Sequence, residues 1–286
     1  MKKTENDTTT AQAIPAPTAK VKVSDSDELE VWVVGEGTPV VMVHGALLWN
    51  LFKPLVDELA KKDGYQLIWY HRRGYRGKPT EAVELADHAP DIIKILDELE
   101  ISKAHVVGHS LGANIVLELA MYAPNRLLSA VLLETVMLAQ VESAKEFGEV
   151  MKPVMAKAES GDFEGASADF IADSVSKEFL ERVLPGSWAE MVTDAPTWWT
   201  MELPAIAKWT VDPAKVKAIE IPLALVLSSD LPYPHVIETS ELLKKWQPKA
   251  KRLEVPGSDN HFYLVTETAK TAAILDDWIK SQGTTN

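Results

Sequence analysis

The 286-residue chain contains no cysteine, which excludes disulfides and thiolate metal sites and leaves the compartment open. Positive charge is scarce: 29 Lys and Arg stand against 42 Asp and Glu, a formal net charge of −13. That balance speaks against nucleic-acid backbones and anionic membrane surfaces as partners. No apolar run approaches the roughly 20 residues of a membrane span. Hydrophobic residues still make up 46 % of the chain, an ordinary share for a globular protein with a sizeable core. Residues 1–24 are rich in Thr, Ala and Pro, and nothing after Met1-Lys2-Lys3 continues as a signal peptide would. The expectation is a disordered tail over 1–24 on a cytoplasmic protein without internal repeats. No feature of the sequence sets an oligomeric state.

What the chain does carry is a series of short apolar segments alternating with amphipathic ones. Val40-Val41-Met42-Val43, Gln66-Leu67-Ile68-Trp69-Tyr70 and Ala104-His105-Val106-Val107 read as strands buried on both faces. So do Ala130-Val131-Leu132-Leu133 and Pro222-Leu223-Ala224-Leu225-Val226-Leu227, with a last strand near Lys251 to Val255. Stretches at about 52–61, 89–99, 113–120 and 266–280 read as helices. This alternation gives βαβ units and a mainly parallel sheet flanked by helices, the α/β class. From Met137 to about Asp212 it stops, and helical stretches rich in Met, Phe and Trp take over.

One pentapeptide, Gly108-His109-Ser110-Leu111-Gly112, sits between a buried strand and a helix. The chain must end the strand, reverse and start the helix within it. Glycine on either side of the serine removes Cβ atoms that would clash in so tight a turn. Ser110 is then presented on a strained corner near the positive end of the following helix. Unpaired backbone N–H groups there can hold a developing oxyanion. A chance Gly-x-Ser-x-Gly match lacks the strand before and the helix after.

In these residues the chain resembles the α/β-hydrolase fold family, over about 28–136 and 213–281. Val43-His44-Gly45-Ala46 looks like its oxyanion loop, Arg72-Arg73-Gly74 like its Arg-Gly turn, and 108–112 like its nucleophile elbow. His71 stands where many relatives carry Asp. The resemblance implies a core of 25–136 and 213–286 carrying a helical cap at 137–212. It places the general base at His261, in the polar loop Pro256 to Phe262, and the oxyanion donors at the N–H groups of Leu111 and Ala46.

Two positions compete for the acid that orients the base. Asp230 lies near the place where many relatives keep their Asp, yet Ser228-Ser229-Asp230-Leu231 fits a Gly-x-x-Asp turn poorly. Glu134 ends the strand Ala130 to Leu133, an acid position of some members, including zearalenone-type lactone hydrolases and one branch of haloalkane dehalogenases. A carboxylate there is costly unless exposed or paired. Glu134 is preferred and Asp230 is kept as the alternative. His109 is expected to turn away from Ser110 and His44 to support the oxyanion loop. His88, His105 and His235 are expected to be structural or exposed.

The resemblance thus implies a serine hydrolase acting on a small apolar ester or lactone. Ser110 would attack the carbonyl, His261 would take its proton, and water would release the acyl group without metal or cofactor. Trp188, Met191, Trp198 and Trp199 are the expected pocket residues. A carbon–carbon bond hydrolase, a cofactor-free perhydrolase and a cap-closing ligand receptor are kept beside this reading, because fold does not choose substrate. Dehalogenases and epoxide hydrolases of this fold use an Asp nucleophile, so Ser110 argues against both.

Overall fold

Segments that are apolar on both faces have nowhere to go but between two layers of helices. The computed structural model, which describes residues 14–283 except 79, 82 and 83, places them at the centre of one sheet. The first half contains β1 (Ala19–Lys22), β2 (Glu28–Val34), β3 (Thr38–Val43), α1 (Lys53–Leu59) and β4 (Tyr65–Tyr70). Then come α2 (His88–Glu98), β5 (Ala104–His109), α3 (Leu111–Tyr122) and β6 (Leu127–Leu133).

A helical insertion follows β6. It comprises α4 (Ala144–Glu159), α5 (Phe163–Ile171), α6 (Lys177–Val183) and α7 (Ser187–Thr197). A π-helical turn (Trp198–Glu202) joins α7 to α8 (Leu203–Lys208), and α9 (Pro213–Lys217) leads back. The sheet resumes with β7 (Leu223–Ser228), α10 (Pro234–Trp246) and β8 (Lys251–Val255). It is closed by α11 (Tyr263–Thr266) and α12 (Thr268–Ser281).

The strand order is β1-β2-β4-β3-β5-β6-β7-β8. β2 pairs antiparallel with β1 and β4, and the remaining neighbours are parallel. From β3 the chain goes outward to β4 and then returns to the other side at β5. Ligand sites in open α/β sheets form at such a reversal, beyond the carboxyl ends of the strands. Here it brings the loop after Val43, the elbow at Ser110 and Glu134 to one edge.

The N-terminal expectation needs correction. Residues 1–13 lie outside the described residues, but 19–22 form an edge strand, not a disordered tail. In Lys20-Val21-Lys22-Val23 the alternation buries Val21 and Val23 while both lysines face water. The Trp32 indole also donates to the Pro15 carbonyl at 2.7 Å. The polar composition of the segment hides this two-residue period. No described helix is long and apolar enough to cross a membrane.

Candidate active site

Ser110 joins β5 to α3 at φ 54°, ψ −124°, a backbone conformation that costs an L-residue energy unless its surroundings enforce it. Enforcement comes from close packing. A Cβ on Gly108 would lie 2.2 Å from the Gly112 carbonyl oxygen, and one on Gly112 would lie 2.1 Å from that of Val43. The elbow thus presses against both itself and the end of β3. The Ser110 N–H donates to the Leu133 carbonyl at 2.8 Å, which ties the corner to β6.

One residue beyond Leu133, Glu134 also adopts positive φ, at 51°, and its N–H reaches the Val226 carbonyl at 3.0 Å. Its side chain is fully buried. Oε1 accepts the Ser228 N–H at 2.8 Å, and Oε2 accepts from Nδ1 of His261. The His261 loop is fixed in turn: Ser228 Oγ donates to the Asn260 carbonyl at 2.7 Å. His109 Nε2 donates to the His261 carbonyl at 2.9 Å. His261 therefore presents its Nε2 side toward the cavity that Ser110 also lines, with the side chain 19 % exposed. The Ser110 hydroxyl makes no hydrogen bond to His261 among the described residues. Asp230 is exposed; its carboxylate accepts from Ser229 Oγ at 2.8 Å and does not reach the imidazole. Of the two candidate acids, Glu134 is the one on His261.

The expected oxyanion donors flank the serine. The Leu111 N–H opens α3 and has no intrahelical acceptor, and the Ala46 N–H has no protein acceptor among the described residues. Around Ala46 the loop is held by buried groups. His44 accepts the Arg72 N–H on Nε2 at 3.0 Å and donates from Nδ1 to the Gly45 carbonyl at 2.7 Å. Burial, reinforced by the Arg72 charge, lowers its pKa and keeps it neutral. The fully buried Arg72 guanidinium donates to the His44 and Gly45 carbonyls at 3.2 and 2.8 Å. Leu47, at φ 64°, donates its N–H to the Tyr75 hydroxyl at 3.1 Å. Both Arg72 and Tyr75 also bind Glu202 of the π-helical turn.

A family model described as alpha/beta hydrolase fold matches residues 38–267, most of the chain. The protein belongs to the α/β-hydrolase fold family. A solved relative, the enol-lactonase from Burkholderia xenovorans LB400, superposes with a TM-score of 0.74 over 91 % of this chain and 99 % of that one. Its identity is 19 %, so the likeness speaks for the fold alone. Among curated proteins, one of Mycobacterium phage D29 named as a non-heme haloperoxidase is 31 % identical over 117 residues. One of Caulobacter vibrioides named as carbamate hydrolase RutD is 47 % identical over 96 residues. Both names are provisional assignments. The matches span 40 % and 32 % of this chain and 42 % and 35 % of the relatives, so less than half of their length is covered.

In this α/β-hydrolase the helical insertion roofs a cavity of about 390 Å³ over Ser110 and His261. Its apolar wall comes from Leu138, Phe147, Val154, Phe170, Trp198 and Leu203. Of the four pocket residues expected from the sequence, only Trp198 lines it. Trp199 points into the insertion, where its indole donates to Ser167 Oγ at 3.0 Å. Met191 is fully buried packing in α7. Trp188 turns outward, its indole on Glu164 at 2.9 Å and its ring 4.6 Å from the Lys177 ammonium. Successive helical residues diverge by roughly 100°, so one of two adjacent tryptophans must face away.

His235 is structural, within the expectation. It is buried in the cavity wall, its ring tilted 32° to that of Phe147 with centroids 4.3 Å apart, and burial holds its pKa at about 4. The other two are structural: His105 bonds Ser129 Oγ at 2.7 Å and His88 lies beside Asp91. His109, Glu134 and His261 gather polar atoms within 4.8 Å, as a metal site would. Glu134 and His261 spend those atoms on each other, and His109 spends Nε2 on a carbonyl, which leaves His109 Nδ1 buried without a partner among the described residues. Phe170 belongs to the Met-, Phe- and Trp-rich stretch read from the sequence, whereas no sequence motif pointed to Phe147 or Glu202, since each reaches the site through tertiary packing.

Proposed function

We propose that this α/β-hydrolase cleaves a small, apolar carboxylic ester or lactone through Ser110, His261 and Glu134. The observation that carries the reading is the buried Glu134 carboxylate on His261 Nδ1, in the cavity shared with Ser110. A neutral imidazole whose Nδ1–H is held this way has its Nε2 lone pair free to take a proton.

As a substrate carbonyl enters, Ser110 Oγ bonds to its carbon and the hydroxyl proton passes to His261 Nε2. The carbonyl oxygen becomes an oxyanion held by the Leu111 and Ala46 N–H groups. Collapse breaks the ester bond, and His261 returns the proton to the leaving oxygen. In a lactone that oxygen stays tethered to the acyl chain. Water, deprotonated by His261, then attacks the acyl-enzyme and regenerates Ser110. Glu134 stabilises the imidazolium in both halves without being protonated. The aromatic and aliphatic cavity wall supports an apolar acyl or alcohol group.

The haloperoxidase name of the phage relative supports a second use of the same intermediate. Hydrogen peroxide in place of water would release a peracid from the acyl-enzyme.

Fluorophosphonate labelling, followed by a chromogenic ester and lactone panel with and without peroxide, tests the proposal. One label on Ser110 is expected. In Ser110→Ala, turnover should fall on the order of 10⁶-fold, as where nucleophile and base act as a unit. Equal labelling of Ser110→Ala would overturn the assignment. Stoichiometric ligand binding without turnover would favour the receptor reading.

A further inference from the structure

The π-helical turn that carries Glu202 has two sides. Trp198 at its start and Leu203 just after it line the cavity over Ser110. Glu202, 5 % exposed, points instead into the core. Its carboxylate accepts from both Nη atoms of Arg72 and from the Tyr75 hydroxyl at 2.7 Å. The partners account for every polar atom between them. The Tyr75 oxygen accepts the Leu47 N–H at 3.1 Å and Arg72 Nη2 at 3.3 Å, so its single proton must go to Glu202. Burial and the Glu202 charge keep that phenol protonated. Arg72 spends its remaining donors on the His44 and Gly45 carbonyls.

Stability alone does not explain this arrangement. A buried ion pair is often no more stabilising than apolar side chains of the same volume. The geometry is more telling: the three backbone groups held are those of His44, Gly45 and Leu47, the residues around Ala46. Each is fixed by a side chain that itself closes on Glu202. π-Helical turns interrupting α-helices occur often at functional sites.

We infer that Glu202 is a positioning residue that seats the helical insertion on the oxyanion loop, so that the Ala46 N–H is aimed only while the insertion is in place. Substrate packed against Trp198 and Leu203 then bears on the same turn that holds the oxyanion donor. Binding in the cavity and assembly of the oxyanion hole become one event. The inference rests on the serine-hydrolase reading above.

The test compares Glu202→Gln and Tyr75→Phe with the unaltered protein. Tyr75→Phe leaves the Arg72–Glu202 pair in place and removes only the hydroxyl that holds Leu47, so it serves even where Glu202→Gln fails to fold. The readouts are kcat and KM on the best ester, melting temperature, and inhibition by a trifluoromethyl ketone. That ketone adds Ser110 Oγ to its carbon, gives the proton to His261 and leaves an oxyanion in the hole. Glu202→Gln is expected to lower kcat on the order of 10²-fold, the size of losing one oxyanion donor. Its KM should stay within about threefold, and ketone inhibition should weaken in step with kcat/KM. Tyr75→Phe should follow the same pattern at about tenfold. Folded variants with unchanged kcat overturn the inference. So does an equal loss of substrate and ketone affinity together with melting temperature, which marks a plain tether. An unaltered protein that fluorophosphonate does not label defeats the hydrolase reading and the inference with it; a labelled, active protein with indifferent variants defeats the inference alone.

Discussion

Leu47, Ser110 and Glu134 sit at φ 64°, 54° and 51°, three of the five described non-glycine residues with positive φ. In the helical insertion, from α4 through α9, the described positive-φ positions are Gly161 and Gly186, where such backbone costs little. The sheet edge thus stores backbone strain where Ser110, Glu134 and the loop around Ala46 stand, and the surrounding ladder enforces it. The insertion is built from relaxed helices held by side chains: Phe170 against Trp198 and Trp199, and Trp199 on Ser167. One region sets chemistry by backbone geometry and tolerates little change. The other, Glu202 apart, sets shape by packing and can be retuned.

The acid at the sheet edge offers the sharpest way to break this contrast. Glu134→Gln keeps the size of the side chain but removes the charge that faces imidazolium. Turnover should fall roughly 10⁴-fold with circular dichroism unchanged. Asp230→Asn, on an exposed carboxylate outside the network, should stay within about tenfold of the parent. A dead Asp230→Asn beside an active Glu134→Gln would reverse the roles of the two residues.

Changes in the insertion should act on selectivity. Phe147→Ala and Trp198→Ala enlarge the cavity and should shift the ratio of bulky to acetyl ester turnover by roughly tenfold or more. Trp199→Ala leaves the lining intact and removes a buried indole and its bond to Ser167. It should lower the melting temperature while leaving the substrate ranking in place. If Trp199→Ala reorders substrates and Trp198→Ala does not, the division between lining and packing fails.

Proton linkage gives the smallest and most gradual contrast. Burial holds His71, His105 and His235 at about 4, and lowers His44, His88 and His109 as well. Each binds a proton more weakly when folded. The stability they confer is complete above their unfolded value near 6.5 and drains as pH falls toward 4. The loss is about 1.4 kcal/mol per pH unit for each histidine within its window. Asp194, where the insertion accepts the Gly77 N–H at 2.8 Å, is pushed up to about 6 by burial and has the opposite sign. It binds its proton more tightly when folded, so stability rises as pH falls from about 6 toward 3.8. Melting curves from pH 7 to 4 should show a net acid loss that Asp194→Asn steepens. A flat profile in both proteins would contradict the burial assigned to these groups.

Much of the sheet edge is legible in the residues themselves. Apolar runs such as Val40 to Val43 admit only a doubly covered strand. Gly108 and Gly112 around Ser110 admit only a sharp strand-to-helix corner. Apart from Gly112, which also meets the Val43 carbonyl, these features depend on neighbours along the chain, where side-chain period and steric limits act directly on the backbone. The loop histidine is placed by the resemblance instead: the family keeps its general base after the last strand, where His261 stands.

Where two distant elements meet, local pattern can rank candidates, as it ranked Glu134 above Asp230, but it cannot join them. Glu134 and Asp230 each lie at or just beyond a strand end, and only the parallel register of β6 beside β7 puts Glu134 between Ser228 and His261. Trp198 and Trp199 are equivalent as letters, yet the packing of α7 and the π-helical turn sends one into the cavity and the other into the insertion. Arg72 and Glu202 are 130 residues apart, and no period links them. A chain's own sequence determines the backbone menu because those forces are local. Which side chains then share a cavity is decided by the tertiary structure, because burial and hydrogen bonding reward contacts irrespective of separation along the chain.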